Sequence, residues 1–138
     1  MTPLAKLSIW YATLSVDTLQ DIERLYAPDA SFKDPFNEVV GIAAIKKIFS
    51  HMFETTEQPQ FVILESIQQG NQAFLTWHFI FGLNEKKYTV KGGTHLRFDD
   101  AGLVTMHRDY WDAAEELWQK LPLIGGIVRW LRGKFRAV

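Results

Sequence analysis

The hydrophobic period of this chain switches from helical to strand-like at Pro59, and that switch limits the folds open to it. Before it, apolar residues recur at helical spacing. Leu4, Leu7, Tyr11 and Leu14 with Trp10 form one set. Leu19, Ile22, Leu25 and Tyr26 follow behind a capping Asp17, and Ile42, Ile45, Ile48, Phe49, Met52 and Phe53 follow Gly41. After Pro59 come four strand-like segments, 61–68, 73–83, 88–98 and 103–111, separated by short polar or glycine-containing turns at 70–71, 84–87 and 99–102. Turns this short join neighbouring antiparallel strands. Helices first and strands afterwards predict an α+β fold, a curved antiparallel sheet with the helices packed on its concave side.

Details of the chain refine this expectation. Pro28 ends the second helix, because the residue before a proline is pushed out of the helical region. The extended piece 31–36 holds Pro35, which would remove a ladder hydrogen bond from a central strand, so it belongs at an edge or rim. Segment 73–83 is apolar on both faces through Phe74, Leu75, Trp77, Phe79, Ile80 and Phe81, and asks for cover on both. From Ala113 the period turns helical again, and 124–136 reads as an amphipathic helix with Arg129, Arg132 and Arg136 opposite Ile124, Ile127, Val128, Leu131 and Phe135. A length of 138 residues suits a single core, so residues 1–118 and the C-terminal helix at 119–138 are expected to form one domain.

Composition removes several function classes. With no cysteine, disulfide scaffolding and thiol catalysis are excluded, and a metal would need His, Asp and Glu alone. The four histidines are scattered with no ligand spacing, and no glycine-rich phosphate loop exists, so neither a metal nor a nucleotide cofactor is expected. No apolar run is long enough for a membrane span, and the N-terminus lacks the pattern of a signal peptide, so the expected location is cytoplasmic. Charge is nearly balanced, 15 basic against 16 acidic residues, but five basic residues and no acid lie from Lys120 onward. So short a basic tail does not make a nucleic-acid surface. Its helix either packs on its own sheet with a solvated basic face or makes weak contact with an anionic membrane surface.

Four places hold residues suited to chemistry. Asp34 sits between Phe32 and Phe36, where desolvation would raise its pKa toward the range of a general base, although an Asp before a proline also commonly starts a turn. His107, Asp109 and Trp111 alternate and so share one face of the last strand. They form either an acid/base pair beside an aromatic wall or a hydrogen-bonded interior cluster. His78, between Trp77 and Phe79, is a satisfied interior residue or a catalyst, and His95 is a weaker candidate.

The run LYAPDASFKDPF at 25–36, with Gly41, Ala44 and Ile45 after it, resembles ketosteroid isomerases, as do Leu96-Arg97-Phe98-Asp99, Gly102 and Asp109-Tyr110-Trp111. Together these segments are similar to the superfamily of cone-shaped α+β domains that contains nuclear transport factor 2, SnoaL-like polyketide cyclases and limonene epoxide hydrolases. The resemblance spans residues 4 to about 117 and is specific for fold more than for chemistry. It implies a cystatin-like α+β cone. It places Asp34 at the isomerase general base, Tyr11 at the oxyanion tyrosine and Thr94 where those enzymes keep a protonated aspartic acid. Against the epoxide hydrolases, Asp109 falls at the water-activating aspartate, while Thr76 and His78 stand where an Arg and a second Asp would complete that set.

The catalytic candidates are thus Asp34, Tyr11, Asp109 and His78. Tyr26, Phe32, Phe36, Phe49, Met52, Thr94, His107 and Trp111 are the expected substrate-binding residues. The leading expectation is cofactor-independent acid/base chemistry, of isomerase, cyclase or dehydratase type, on a small hydrophobic molecule. The alternative is a non-catalytic module that holds an apolar ligand, or fills its cone with Trp77, Phe79 and Trp111. A homodimer through the outer sheet face is expected in either case.

Overall fold

A computed structural model describes residues 1–112. The expected helix at 119–138, its basic face and the boundary at residue 118 lie outside the described residues.

Helix α1 (Pro3–Ala12) starts where sequence chemistry places it: the Thr2 hydroxyl accepts from the Ala5 N–H at 3.1 Å, and Pro3 occupies the first turn. Leu4, Leu7, Trp10 and Tyr11 form its buried face. The second helical set forms only a 3-10 segment, Leu19–Arg24. Trp10 donates its indole N–H to the Thr18 carbonyl at 2.9 Å, and Ser15 and Thr18 exchange hydrogen bonds, so the chain leaves α1 through a tight knot.

Tyr26 therefore does not continue a helix. It opens strand β1 (Tyr26–Lys33), which pairs antiparallel with the short β2 (Glu38–Val40) and parallel with β6 (Val104–Tyr110). The expected rim piece is thus a longer strand covered on both sides, and β2 is the edge. Pro28 is tolerated because the β1–β6 register slips between Tyr26 and Ser31, and Pro35 falls in the β1–β2 turn. Helix α2 (Ile42–Thr55) follows Gly41, whose φ of 102° favours glycine, and buries Ile45, Ile48 and Phe49.

Strands β3 (Glu57–Gln69), β4 (Gln72–Leu83), β5 (Lys86–Phe98) and β6 form the expected antiparallel meander, and the six strands lie in the order β2-β1-β6-β5-β4-β3. The β4–β5 turn is tighter than expected: Leu83 pairs with Lys86, and Asn84 and Glu85 both take positive φ, which matches the right-handed twist of a hairpin. Bulges in β3 near Gln58 and Leu64, and one where β5 meets β6, bend the sheet around the two helices. Along β4 the odd-numbered residues Ala73, Leu75, Trp77, Phe79, Phe81 and Leu83 are buried beneath the helices. The even-numbered Phe74, Thr76, His78 and Ile80 lie on the outer face, where cover is only partial.

Candidate functional site

The concave face of the sheet and helix α2 enclose a cavity of about 80 Å³. Its wall is aromatic: Phe32 and Phe36 come from the β1 side, Phe49 from α2, Phe61 from β3, Trp77, Phe79 and Phe81 from β4, and Trp111 follows β6. Ile48, Met52 and Val90 add to the apolar lining. Among the described residues the polar groups lining it are Asp34, Asp109 and His51.

Asp34 is both the turn-forming residue and the cavity residue that its sequence context allowed. Its Oδ1 accepts the backbone N–H of Phe36 at 2.8 Å and of Asn37 at 2.6 Å, and the Asn37 amide lies 3.2 Å from each carboxyl oxygen. The turn closes as the Asp34 N–H donates to the Asn37 carbonyl at 2.9 Å. These donors favour the charged carboxylate, but burial among rings and the nearby charge of Asp109 outweigh them, and the pKa is pushed up to about 6. Asp34 therefore titrates close to neutrality, with Oδ2, the oxygen without a backbone donor, the better placed to exchange a proton.

Asp109 hangs from a buried relay. Indole Nε1–H of Trp77 can only donate, and it donates to the Thr94 hydroxyl at 2.8 Å. The hydroxyl proton of Thr94 is thereby directed to Asp109 Oδ1 at 2.6 Å, and His107 Nε2 lies 2.7 Å from the same oxygen. With Nε2–H facing the carboxylate, Nδ1 is the acceptor, met by the hydroxyls of Tyr26 at 2.6 Å and Tyr11 at 3.0 Å. Tyr11 and Tyr26 are also hydrogen-bonded to each other. Burial first, and then neighbouring negative charge, holds both phenols well above the ordinary tyrosine range, so they remain proton donors. Oδ1 of Asp109 is thus an acceptor twice over, and its side chain, 18 % exposed, reaches the cavity wall.

Asp34, Asp109, Phe32, Phe36, Phe49, Met52 and Trp111 line the cavity as the sequence led us to expect. Tyr26, Thr94 and His107 stand behind the wall, within the relay that carries Asp109. Tyr11 is displaced from its expected role in the same way: its hydroxyl is buried against Tyr26 and His107, so it reaches the cavity only through them. His78 is a correction. Trp77 and Phe79 face the cavity, so strand alternation turns His78 to the opposite side of the sheet. Thr76 likewise bonds the β3 backbone, its hydroxyl accepting from the Glu65 N–H at 3.1 Å, so the epoxide hydrolase set is not assembled from these positions. His95 pairs with Gln72 at 3.1 Å, away from the cavity.

His51 was missed, although its place three residues after Ile48 puts it on the buried face of α2. Phe61, Phe81 and Val90 were not singled out either, as nothing but apolarity marks them. Trp77 and Phe79, expected as potential plugs, form walls around a space that stays open. Among the described residues no cluster of three or more His, Asp or Glu could hold a metal ion, and no helix is long and apolar enough to cross a membrane.

Solved structures share this architecture. A hypothetical protein with a ketosteroid isomerase-like fold from Catenulispora acidiphila, solved in complex with trimethylamine, is 19% identical with a TM-score of 0.74, over 88% of this chain and 96% of that one. A putative SnoaL-like polyketide cyclase from Jannaschia is 13% identical with a TM-score of 0.71, over 82% and 85%. An LEH-like epoxide hydrolase of M. tuberculosis is 14% identical with a TM-score of 0.71, over 94% of both chains. At such identities the likeness establishes the fold alone. No curated protein matches the chain in sequence. The SnoaL-like domain is matched over residues 8–107, from the first helix to the histidine that carries Asp109, and with that span the chain belongs to the SnoaL-like domain family.

Proposed function

We propose that the cavity performs acid/base chemistry on a small, largely apolar molecule, of isomerase, cyclase or dehydratase type, with Asp34 moving the proton. The observation that carries this reading is a carboxyl group in an aromatic hollow with its pKa pushed up to about 6, opposite a second carboxyl group. Above that pH Asp34 is a base with little hydration to lose. Ionised Asp34 accepts a proton from the ligand and, once protonated, returns it to another ligand atom, while Asp109 faces the same ligand across the cavity. Oδ1 of Asp34 takes both backbone donors and Oδ2 the longer contact from the Asn37 amide, so the exchange runs through Oδ2. Tyr26, Tyr11, Thr94 and Trp77 are positioning residues, because they act through His107 and Asp109.

The test is deuterium incorporation from D2O at the carbon next to the carbonyl of small ketones and enones, followed by NMR. The parent protein is expected to accelerate exchange with a rate that rises through about pH 6, and Asp34→Asn to lose on the order of 10²-fold or more. Equal exchange by parent and variant removes Asp34 from the role. No acceleration by the parent across the panel leaves the non-catalytic binding module as the better reading.

We also propose a homodimer through the outer sheet face. Ile67 is 65%, Phe74 36% and Tyr110 46% exposed there, side by side around a groove that also includes Ala73. Contiguous apolar surface on a sheet is a common site of protein association. Sedimentation of the parent against Phe74→Glu checks it: a dimer that the substitution dissociates supports the reading, and a monomeric parent rejects it.

A further inference from the structure

Among the described residues the cavity lining holds two carboxyl groups and one histidine, with no lysine or arginine. Among the described residues the lining is thus a negative pair inside an aromatic box. Burial alone disfavours a carboxylate, and the charge of Asp109 adds to that effect on Asp34. The faces of aromatic rings carry negative electrostatic character and attract compact cations, most of all where water is excluded. Trp77 and Trp111, the strongest ring type for this purpose, are both in the wall, with Phe36 set edge-on to Trp111 at 5.5 Å and Phe61 edge-on to Trp77 at 5.5 Å.

We infer that the ligand of this cavity carries a compact alkylammonium group, its alkyl substituents against the rings and its N–H directed at the Asp34–Asp109 pair. This deepens the proposed function and rests on the reading that the ligand meets both carboxyl groups. A single positive charge placed there offsets their repulsion, which a neutral hydrocarbon cannot do. Size agrees: about 80 Å³ is roughly half of the ~150 Å³ apolar cavity that accepts benzene, so the enclosed part of the ligand is a few heavy atoms. Among the described residues His51 is the lining group whose side chain can carry a positive charge, and behind the wall His107, Tyr11 and Tyr26 face Asp109 through the relay.

Two probes of nearly equal shape separate charge from fit: tert-butylammonium and tert-butyl alcohol, titrated at pH 8 into the parent while the Trp77 and Trp111 indole N–H resonances are followed. The ammonium is expected to bind at least tenfold tighter than the alcohol. Asp34→Asn, which keeps an acceptor for the Phe36 and Asn37 N–H groups, is expected to reduce that preference several-fold. His51→Gln is expected to preserve or increase it. Equal or tighter binding of the alcohol, no binding of the ammonium, or an unchanged preference in Asp34→Asn overturns the inference. Acid/base chemistry is judged separately by deuterium exchange on neutral ketones. Exchange without ammonium binding rejects the cation alone, and ammonium binding without exchange rejects the enzymatic reading alone.

Discussion

His107 and Asp109, two residues apart on β6, are joined by a 2.7 Å contact between Nε2 and Oδ1 in the buried wall of the cavity. That contact sets the imidazole tautomer and turns Nδ1 toward the paired tyrosine hydroxyls. One buried nitrogen thus faces two hydroxyls that also bond each other, so one donates to the nitrogen and the other to its neighbour.

Tyr11→Phe and Tyr26→Phe should therefore each be tolerated better than the pair. Either single change leaves the other hydroxyl within reach of Nδ1, at 2.6 or 3.0 Å, whereas the double change leaves a buried acceptor without a donor. An unsatisfied buried group costs about 1–3 kcal/mol, so the double variant should lose more than the sum of the two single losses, by ~1 kcal/mol or more. Urea unfolding of all four proteins measures the coupling, and strict additivity would show that the network is not shared.

Thr94→Val preserves shape but removes the link between Trp77 and Asp109. The indole N–H loses its acceptor and Oδ1 loses one of two donors. A loss of about 1–3 kcal/mol in unfolding free energy is expected, more than a surface Thr→Val change at Thr105 would cause. The Trp77 indole N–H signal should also move, because its hydrogen bond is gone.

Asp34 should make the protein less stable as pH rises. Its folded pKa of about 6 exceeds the ordinary value of 3.8, so between those pH values the folded state binds more protons than the unfolded state. The destabilisation is absent below pH 4, grows through about pH 6 and is then complete, at most ~3 kcal/mol. Asp34→Asn should accordingly unfold at higher urea concentration than the parent at pH 8 and show little difference at pH 4. A variant less stable at pH 8 would mean that the turn hydrogen bonds outweigh the cost of burying the charge.

Gly92→Ala should disturb the cavity through the Trp77 ring. A Cβ at Gly92 would come within 2.5 Å of the Trp77 ring, which lies across the glycine on the neighbouring strand. The indole must tilt away, so the Trp77 to Thr94 bond weakens and the cavity changes shape. Overpacking of this kind costs about 1–3 kcal/mol. Thermal unfolding and a shifted Trp77 indole resonance report it, and an unperturbed resonance would show that the ring has room to spare.

Elements whose pattern is local are legible in the chain alone: α1 and α2 from residues at three- and four-residue spacing, the β3–β6 meander from period two and its turns, and the common face of His107, Asp109 and Trp111 from strand alternation. The sequence also marked Asp34, since a carboxyl group flanked by two phenylalanines has either a turn or a cavity to serve, and here it serves both. What local pattern could not fix was decided by pairing and packing between distant segments. Tyr26 leaves the helical set because β1 is drawn alongside β6, a parallel match whose register no spacing in the chain encodes. Strand β4 is apolar on both faces, so only the helices packed over one side determined that Trp77 and Phe79 face the cavity and His78 does not. Tyr11 was placed near the site by its helix, but the hydroxyl of Tyr26 and the ring of His107 meet it first. Donor and acceptor matching in a buried space is a property of three-dimensional neighbours, which is why the relay behind Asp109 appeared only in the folded chain.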